Sequence, residues 1–139
     1  MSIEEIQNEI IDEFSFFSDW TEKYEHIISL GKELEPLEEQ YKTDENIVKG
    51  CQSRVWLHGV IEEDKLCFQA DSDAIITKGL VALIVRVFTA HTAEEILNAE
   101  LFFVDKIGLR EHLSPNRSNG LISMIKTIKT YALAYSVKH

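Results

Sequence analysis

The segment around Cys51 combines a thiol with residue types that would present it to another molecule. It reads Val48-Lys49-Gly50-Cys51-Gln52-Ser53-Arg54-Val55-Trp56-Leu57, so the cysteine follows a glycine and precedes an apolar run. Glycine permits the tight or left-handed turn that places a side chain at a loop tip. A cysteine used only for packing lies more often inside an apolar periodic segment. The pattern therefore predicts a reachable thiol on a loop beside a rigid strand.

Metal binding is the first alternative use of the two cysteines. Cys51 and Cys67 are separated by sixteen positions and form no C-x-x-C pair. A zinc or iron–sulfur site usually needs about four protein ligands, often in close pairs. A metal site could still form if the sheet brought together Cys51, Cys67, His58 and either Asp71 or Asp73. It would make the protein an iron–sulfur scaffold or a metal-binding module.

A cysteine hydrolase is the second alternative. It would need a histidine beside Cys51 and an oxyanion hole. The candidate bases by residue type are His26, His58, His91 and His112, and none of them lies in a local catalytic motif. Cys67 sits within a strand pattern, which predicts an inert small residue on a sheet face.

Two further segments carry more polar residues than local structure requires. Asp71-Ser72-Asp73 supplies two acidic residues where one N-cap would suffice for the following helix. The segment Ser114-Pro115-Asn116-Arg117-Ser118-Asn119-Gly120 begins another helix with an arginine, a cation that opposes the helix dipole there. We expect Arg117 to be compensated by an acidic partner, either Asp71 or Asp73.

Two helices are predicted before the cysteine loop. Ser2 with Glu5 has the spacing of a capping box, followed by apolar residues at helical intervals. Asp19 with Glu22 begins a second helix, which we expect to stop at Gly31. A long charged connection then leads to the loop.

The region around the loop predicts an antiparallel sheet. Residues 47–48, 53–61 and 65–70 are rich in strand-forming residues and are joined by short connections. The fold class expected from the whole chain is α+β, with a small antiparallel three-stranded sheet packed against helices.

Helical patterns return after the sheet. The helix after Asp71-Ser72-Asp73 is the most apolar in the chain, and Gly79 inside it predicts a close contact. Thr92 begins a short helix, residues 101–113 predict short helical pieces, and Ser114 is placed to cap the last helix.

Composition and charge exclude several function classes. Residues 1–45 hold 14 of the 24 acidic residues and 3 of the 14 basic ones, and the chain has a net charge of −10. This balance argues against nucleic acid as the partner. An acidic start and the lack of a long apolar stretch argue against a secretory signal or a membrane span. Two cysteines without a disulfide framework favour a cytoplasmic setting, and 139 residues favour a single domain, 1–139.

The polar segments, taken together, resemble the motifs of the SufE family. The matching runs are Gly50-Cys51-Gln52-Ser53-Arg54-Val55-Trp56-Leu57, Asp71-Ser72-Asp73-Ala74-Ile75-Ile76-Thr77-Lys78-Gly79-Leu80 and Leu113-Ser114-Pro115-Asn116-Arg117-Ser118-Asn119-Gly120-Leu121. Their order and spacing extend through nearly the whole chain. Cys67 and the acidic first helix are not part of the pattern.

The resemblance implies a sulfur acceptor in iron–sulfur cluster assembly. In such proteins a cysteine, here Cys51, takes persulfide sulfur from a pyridoxal-phosphate-dependent cysteine desulfurase, stimulates that enzyme and passes the sulfur to a scaffold complex. The fold is similar to IscU-type scaffolds, but those need several cysteines, which favours a carrier here. The carrier itself needs no cofactor and no metal. Residues expected to support the loop or dock the partner are Gly50, Gln52, Asp71, Asp73 and Arg117.

The residues beside Cys51 suggest how its reactivity is controlled. Sulfur transfer resembles thiol–disulfide exchange, in which a thiolate attacks one sulfur of an S–S bond. We expect Lys49 and Arg54 to lower the thiol pKa. The apolar neighbours Val48, Val55 and Leu57 would shelter a tucked loop, and a partner would favour an extended one.

Overall fold

The computed structural model describes residues 1–138 and confirms an α+β fold. Its helices are α1 (Ile3–Ser15), α2 (Trp20–Glu33), α3 (Ile75–Phe88), α4 (Ala93–Asn98), α5 (Phe103–Lys106), α6 (Leu109–His112) and α7 (Pro115–Lys138). The strands are β1 (Val55–Glu62) and β2 (Lys65–Ser72). Single turns of 3-10 helix at Glu39–Tyr41 and Asp44–Asn46 lie in the connection before the sheet.

The predicted helix starts are confirmed where a side chain caps the helix. Ser2 Oγ accepts the Glu5 N–H at 3.0 Å, and Glu5 Oε1 accepts the Ser2 N–H at 3.1 Å, which completes the capping box. Asp19 caps α2 by accepting the Glu22 N–H at 2.9 Å. Thr92 forms a second capping box at the start of α4.

The expected stop at Gly31 is wrong, because α2 continues to Glu33. Gly31 serves packing instead. A Cβ built on it would lie 2.8 Å from the backbone nitrogen of Gly79, and a Cβ on Gly79 would lie 2.1 Å from the carbonyl oxygen of Ile27. Helices α2 and α3 therefore cross in backbone contact, as the glycine inside α3 predicted.

The sheet has two strands among the described residues, so the expected third strand is wrong. β1 and β2 pair antiparallel from Val55 opposite Ser72 to Glu62 opposite Lys65. Residues 47–48 contribute only one isolated bridge, from Ile47 to Trp56. A 3-10 turn ends just before Ile47 and a left-handed glycine follows at Gly50, so the extended run is too short for a ladder.

The core lies between the inner sheet face and the surrounding helices. Helix α3 contacts α1, α2, α7 and β2, and its residues Ile84, Val87 and Phe88 are completely buried. The inner sheet face contributes Leu57 and Phe68 to the same core. This packing places the start of α7 over the loop that precedes β1. Within residues 1–138, no helix combines the length and the apolar character that crossing a membrane requires.

Candidate functional site

Cys51 lies on the loop between the Ile47 bridge and strand β1, as predicted. Gly50, directly before it, has φ +93°, a left-handed conformation that favours glycine. A Cβ on Gly50 would also come within 2.5 Å of Ser123 Oγ on α7. The glycine is therefore required both by the turn and by the close approach of the loop to α7.

The backbone at the two ends of the loop is held by four hydrogen bonds. The Val48 N–H donates to the Val55 carbonyl at 2.8 Å, closing the base of the loop. Asp73 Oδ1 accepts the Arg54 N–H at 3.0 Å, and the Asp73 N–H donates to the Arg54 carbonyl at 3.2 Å. Ser72 Oγ donates to the same carbonyl at 2.9 Å. The base of the loop is thus anchored on both sides of Cys51.

The tip of the loop contacts α7 through two side-chain hydrogen bonds. Cys51 Sγ donates to the Gly120 carbonyl at 3.6 Å, and Asn116 Nδ2 donates to Gln52 Oε1 at 2.8 Å. A Cβ on Gly120 would lie 3.4 Å from Cys51 Sγ, so the thiol packs directly on this turn of the helix. Sequence reasoning placed Gln52 in the site but missed Asn116 and Gly120 as its α7 counterparts, although both lie in the third polar segment.

A cavity of about 290 Å³ lies beside Cys51. Its apolar wall consists of the buried side chains Val55, Leu80, Val81, Leu121 and Met124. Exposed polar residues form its rim, namely Gln52, Ser114, Asn116 and Arg117, and the half-buried Ser53 and Thr77 also line the cavity. Cys51 is half-buried and lines the same cavity, so its sulfur lies beside an apolar wall and a polar rim. Of the expected shelter residues, only Val55 lines this cavity.

Burial raises the pKa of the Cys51 thiol. The expected lowering by Lys49 and Arg54 is therefore wrong for the tucked loop. Both side chains are exposed, whereas the sulfur is partly removed from water, which disfavours the thiolate. In this conformation burial therefore favours the protonated thiol over the nucleophilic thiolate.

Asp71 and Asp73 are both structural supports, although neither caps α3 as expected. Ala74 occupies the N-cap position and makes no side-chain cap bond. Asp71 is buried and makes ion pairs with Lys42 and Lys78 at 3.5 and 3.3 Å. Burial opposes its ionisation, but the N–H groups of Ser72 and Leu37, together with Lys78, outweigh this effect and lower the Asp71 pKa.

The predicted pairing of Arg117 with Asp71 or Asp73 is wrong. Asp71 is already paired with two lysines, and Asp73 is bonded to the backbone of Arg54. Within the part of the chain that the structure describes, Arg117 makes no ion pair. Its side chain is exposed at the rim of the Cys51 cavity.

Cys67 lies away from Cys51, on the outer face of β2 opposite Val60. Its Sγ is 3.8 Å from Glu62 Oε2, and burial together with this carboxylate raises the Cys67 pKa. His58 stacks on Tyr41, with ring centroids 3.9 Å apart. Within residues 1–138, no three His, Cys, Asp or Glu side chains are close enough to hold a metal ion. The hypothesised site of Cys51, Cys67, His58 and an aspartate is therefore not assembled.

The histidines considered for a hydrolase are all engaged elsewhere. His26 contacts Glu13 at 2.7 Å, and His112 stacks on Trp20 at 3.9 Å between ring centroids. His91 bonds to the Met1 carbonyl at 2.9 Å. None of these four histidines lines the Cys51 cavity, so among residues 1–138 no imidazole lies beside the thiol.

Comparison with known proteins identifies the family. Residues 8–132 match the model of the SufE family, described as an Fe-S metabolism associated domain. The chain belongs to the SufE family. An uncharacterized SufE-like protein of Rhizobium meliloti is 45% identical over 130 residues, covering 90% of this chain and 93% of that protein. SufE-like protein 1, chloroplastic/mitochondrial, of Arabidopsis thaliana is 40% identical over 94% of this chain, which corresponds to 35% of the plant protein.

A solved structure shares the fold of this SufE-family chain. It is the solution structure of a hypothetical protein from Thermus thermophilus, with a TM-score of 0.75 and 16% identity. The superposition covers 93% of this chain and 94% of the other. Family membership links the protein to iron–sulfur metabolism, as the motif resemblance predicted.

Proposed function

We propose that this protein is a cytoplasmic sulfur carrier that accepts persulfide sulfur on Cys51 from a pyridoxal-phosphate-dependent cysteine desulfurase. It then passes the sulfur to an iron–sulfur scaffold complex. The observation that carries the proposal is a single half-buried thiol on a glycine loop, facing a cavity with an apolar wall. SufE family membership supplies the metabolic context.

The transfer needs a loop with two positions. A desulfurase persulfide lies inside its own active site, so Cys51 must extend to reach it. The contacts of the tip, from Sγ to Gly120 and from Asn116 to Gln52, are few and replaceable by water or by a partner. The anchors at Val48, Ser72 and Asp73 keep the base of the loop in place meanwhile. Binding that favours the extended loop would shift the population without unfolding the domain.

Extension also activates the nucleophile. In the tucked loop burial raises the Cys51 pKa, which suppresses the thiolate. An extended loop returns the sulfur to a more polar setting, where the thiolate forms more readily. The Cys51 thiolate then attacks the outer sulfur of the desulfurase persulfide, the desulfurase thiolate leaves, and the S–S bond is re-formed on Cys51. Clearing that persulfide would let the desulfurase begin its next cycle. For this reason we expect the carrier to increase the turnover of the desulfurase.

The loaded loop would then return to the cavity. A persulfide is readily reduced or oxidised. The wall formed by Val55, Leu80, Val81, Leu121 and Met124 would shield part of the outer sulfur from water. Storage and transfer are therefore assigned to the tucked and extended positions of the same loop.

Mass spectrometry after incubation with a cysteine desulfurase and cysteine tests this function. The Cys51 peptide should gain one sulfur, and a thiol reductant should remove it. Cys51→Ser should abolish the gain and the stimulation, because its hydroxyl cannot form a persulfide.

Cys67→Ser is the matched control and should keep most activity. Cys67 lies on the outer sheet face, beside Glu62. An unmodified Cys51 in the presence of an active cognate desulfurase would contradict the proposal. Equal loss in both variants would instead indicate a site that uses two cysteines.

A further inference from the structure

The cavity beside Cys51 is larger than a stored sulfur atom requires. Its volume is about 290 Å³, whereas a water molecule, comparable in size to one added sulfur, takes about 30 Å³ of liquid. Pockets for small molecules begin near roughly 300 Å³. The cavity lies at the lower end of that range, which suits a ligand of only a few heavy atoms beside the added sulfur.

The rim of this cavity carries a cation on the helix that Cys51 contacts. Arg117 and Gly120 are three residues apart on α7, and such residues lie on the same helix face with Cβ positions about 5–6 Å apart. Gly120 marks the turn on which Cys51 Sγ packs. Arg117 therefore lies about one helical turn from Gly120, the residue on which the Cys51 sulfur packs, and all three residues line the cavity.

The charge on Arg117 is not used by the protein itself within residues 1–138, where it makes no ion pair. The other cations near the loop are either paired with an acidic residue or lie outside the cavity. Lys42 and Lys78 are paired with Asp71, and Lys49 and Arg54 do not line the cavity. A ligand entering past Arg117 would meet a positive charge at the rim and an apolar wall inside.

We propose that the cavity binds a small thiol carrying a carboxylate, that Arg117 pairs with this carboxylate, and that the thiol takes the sulfane sulfur from Cys51. The proposal rests on the proposed carrier function, since it requires a persulfide on Cys51. It adds a second class of acceptor, a low-molecular-weight mercaptocarboxylate, to the protein scaffold.

The transfer balances without an oxidant or a reductant. The thiolate of the small molecule attacks the outer sulfur of Cys51–S–SH, and a new S–S bond forms between the small molecule and that sulfur. The Cys51–sulfur bond breaks, and Cys51 leaves as a thiolate that takes a proton from water. The products are a small persulfide, R–S–SH, and the free Cys51 thiol. Attack on the inner sulfur would instead release hydrosulfide and leave a mixed disulfide on Cys51.

The test uses the full chain loaded with sulfur by two routes. One sample is loaded by a desulfurase and cysteine, and another by inorganic polysulfide, each followed by gel filtration. Loss of sulfur from the Cys51 peptide is then timed with 3-mercaptopropionate, neutral 2-mercaptoethanol or cationic cysteamine. The small persulfide product is trapped by alkylation and identified by mass. Arg117→Gln removes the rim charge, and Lys126→Gln removes an exposed charge from the same helix outside the cavity.

Comparing each thiol between variants cancels its intrinsic reactivity. We expect Arg117→Gln to slow transfer to 3-mercaptopropionate about threefold, the effect of one exposed ion pair, and to leave 2-mercaptoethanol within about 1.5-fold. Lys126→Gln should change neither rate. The rate with 3-mercaptopropionate should saturate with its concentration, and propionate should compete.

The same change for all three thiols in Arg117→Gln, or a mixed disulfide as the main product, would overturn the proposal. Failure of desulfurase loading alone would contradict the carrier function, while the polysulfide-loaded sample would still decide the acceptor question.

Discussion

At the scale of single residues, the central feature is a thiol that is held in an unreactive state by its position. Cys51 is half-buried, its Sγ donates to the Gly120 carbonyl, and burial raises its pKa. The proposed chemistry needs the thiolate, so the resting structure opposes the reaction until the loop moves. Such an arrangement limits unproductive reaction of the thiol in the absence of a partner.

Alkylation of Cys51 by iodoacetamide should show this directly. The pH midpoint of the rate should lie above that of the same cysteine in the urea-unfolded chain, because burial disfavours the thiolate. The peptide containing Cys51, resolved by mass spectrometry, separates its reaction from that of Cys67. A midpoint equal to that of the unfolded chain would indicate that the loop is extended in solution.

The raised pKa of Cys51 also determines how the free energy of unfolding should change with pH. A group with a raised pKa in the folded state binds its proton more tightly there, so its contribution is complete below the unfolded pKa. The contribution is lost as the pH rises through the folded pKa. Urea unfolding of the wild type should therefore weaken at alkaline pH more than that of Cys51→Ser, which lacks the titrating group.

At the scale of elements, Gly79 allows helices α2 and α3 to cross in backbone contact. Gly79→Ala should lower the free energy of unfolding by about 3 kcal/mol, the upper range for overpacking, because the new Cβ would lie 2.1 Å from the Ile27 carbonyl oxygen. Gly120→Ala is a matched control in another helix. Its Cβ would lie at an ordinary 3.4 Å from Cys51 Sγ, so it should be neutral or gain up to about 1 kcal/mol of helix propensity.

Urea titration followed by circular dichroism measures both variants. Equal stability of Gly79→Ala and the wild type would mean that the two helices separate readily at this crossing. A loss in Gly120→Ala as large as that in Gly79→Ala would show that the α7 contact with the loop is tighter than the structure indicates.

Helix α7 should also influence the partner. We expect Arg117→Ala to reduce stimulation of the cysteine desulfurase, because this exposed arginine lies on the rim that surrounds Cys51. The stability change should stay below about 1 kcal/mol, as for other exposed charges. Desulfurase turnover measured against carrier concentration is the readout, with Lys126→Ala as the control on the same helix. Unaltered stimulation by Arg117→Ala would remove this residue from the docking surface.

The elements that were predictable from the sequence are those specified by local contacts. Ser2 with Glu5 and Asp19 with Glu22 cap their helices across three residues, and this spacing is visible in the chain. Residues 47–48 do not form the expected strand. Their strand propensity does not show that Gly50, which follows, takes a left-handed conformation and ends the extended run. The stop expected at Gly31 is wrong for a different reason, since its packing partner, Gly79, is distant in sequence.

In the candidate site, too, features set by neighbours in the sequence were predictable, and contacts across the fold were not. The position of Gly50 and Cys51 on a loop was predictable because the two residues are neighbours in the chain. The use of Asp73 to hold Arg54, and of Asn116 to hold Gln52, depends on contacts across the fold. Motif matching placed Asp73 and Gln52 in the site, but it did not reveal which atoms they bind or that Asp71 is paired with two lysines.

At the scale of the whole molecule, helix α3 connects the parts of the described chain. It contacts α1 and α2 from the first third and α7 from the last, and their buried residues form one cluster. A shared core of this kind predicts a single cooperative unit. Near-ultraviolet and far-ultraviolet circular dichroism should therefore give coincident urea transitions. Two separated transitions would show that the chain contains independently unfolding parts.

The contact between Cys51 and Gly120 spans 69 residues of chain, and this has a consequence for synthesis on the ribosome. At typical elongation rates, the helix turn that covers the thiol is made roughly 3 to 14 seconds after the thiol itself. During that interval a nascent chain carries Cys51 without its cover. During synthesis the protein therefore passes through a stage in which Cys51 is open to oxidants. Its yield of usable thiol should be most sensitive to oxidative stress while translation is under way.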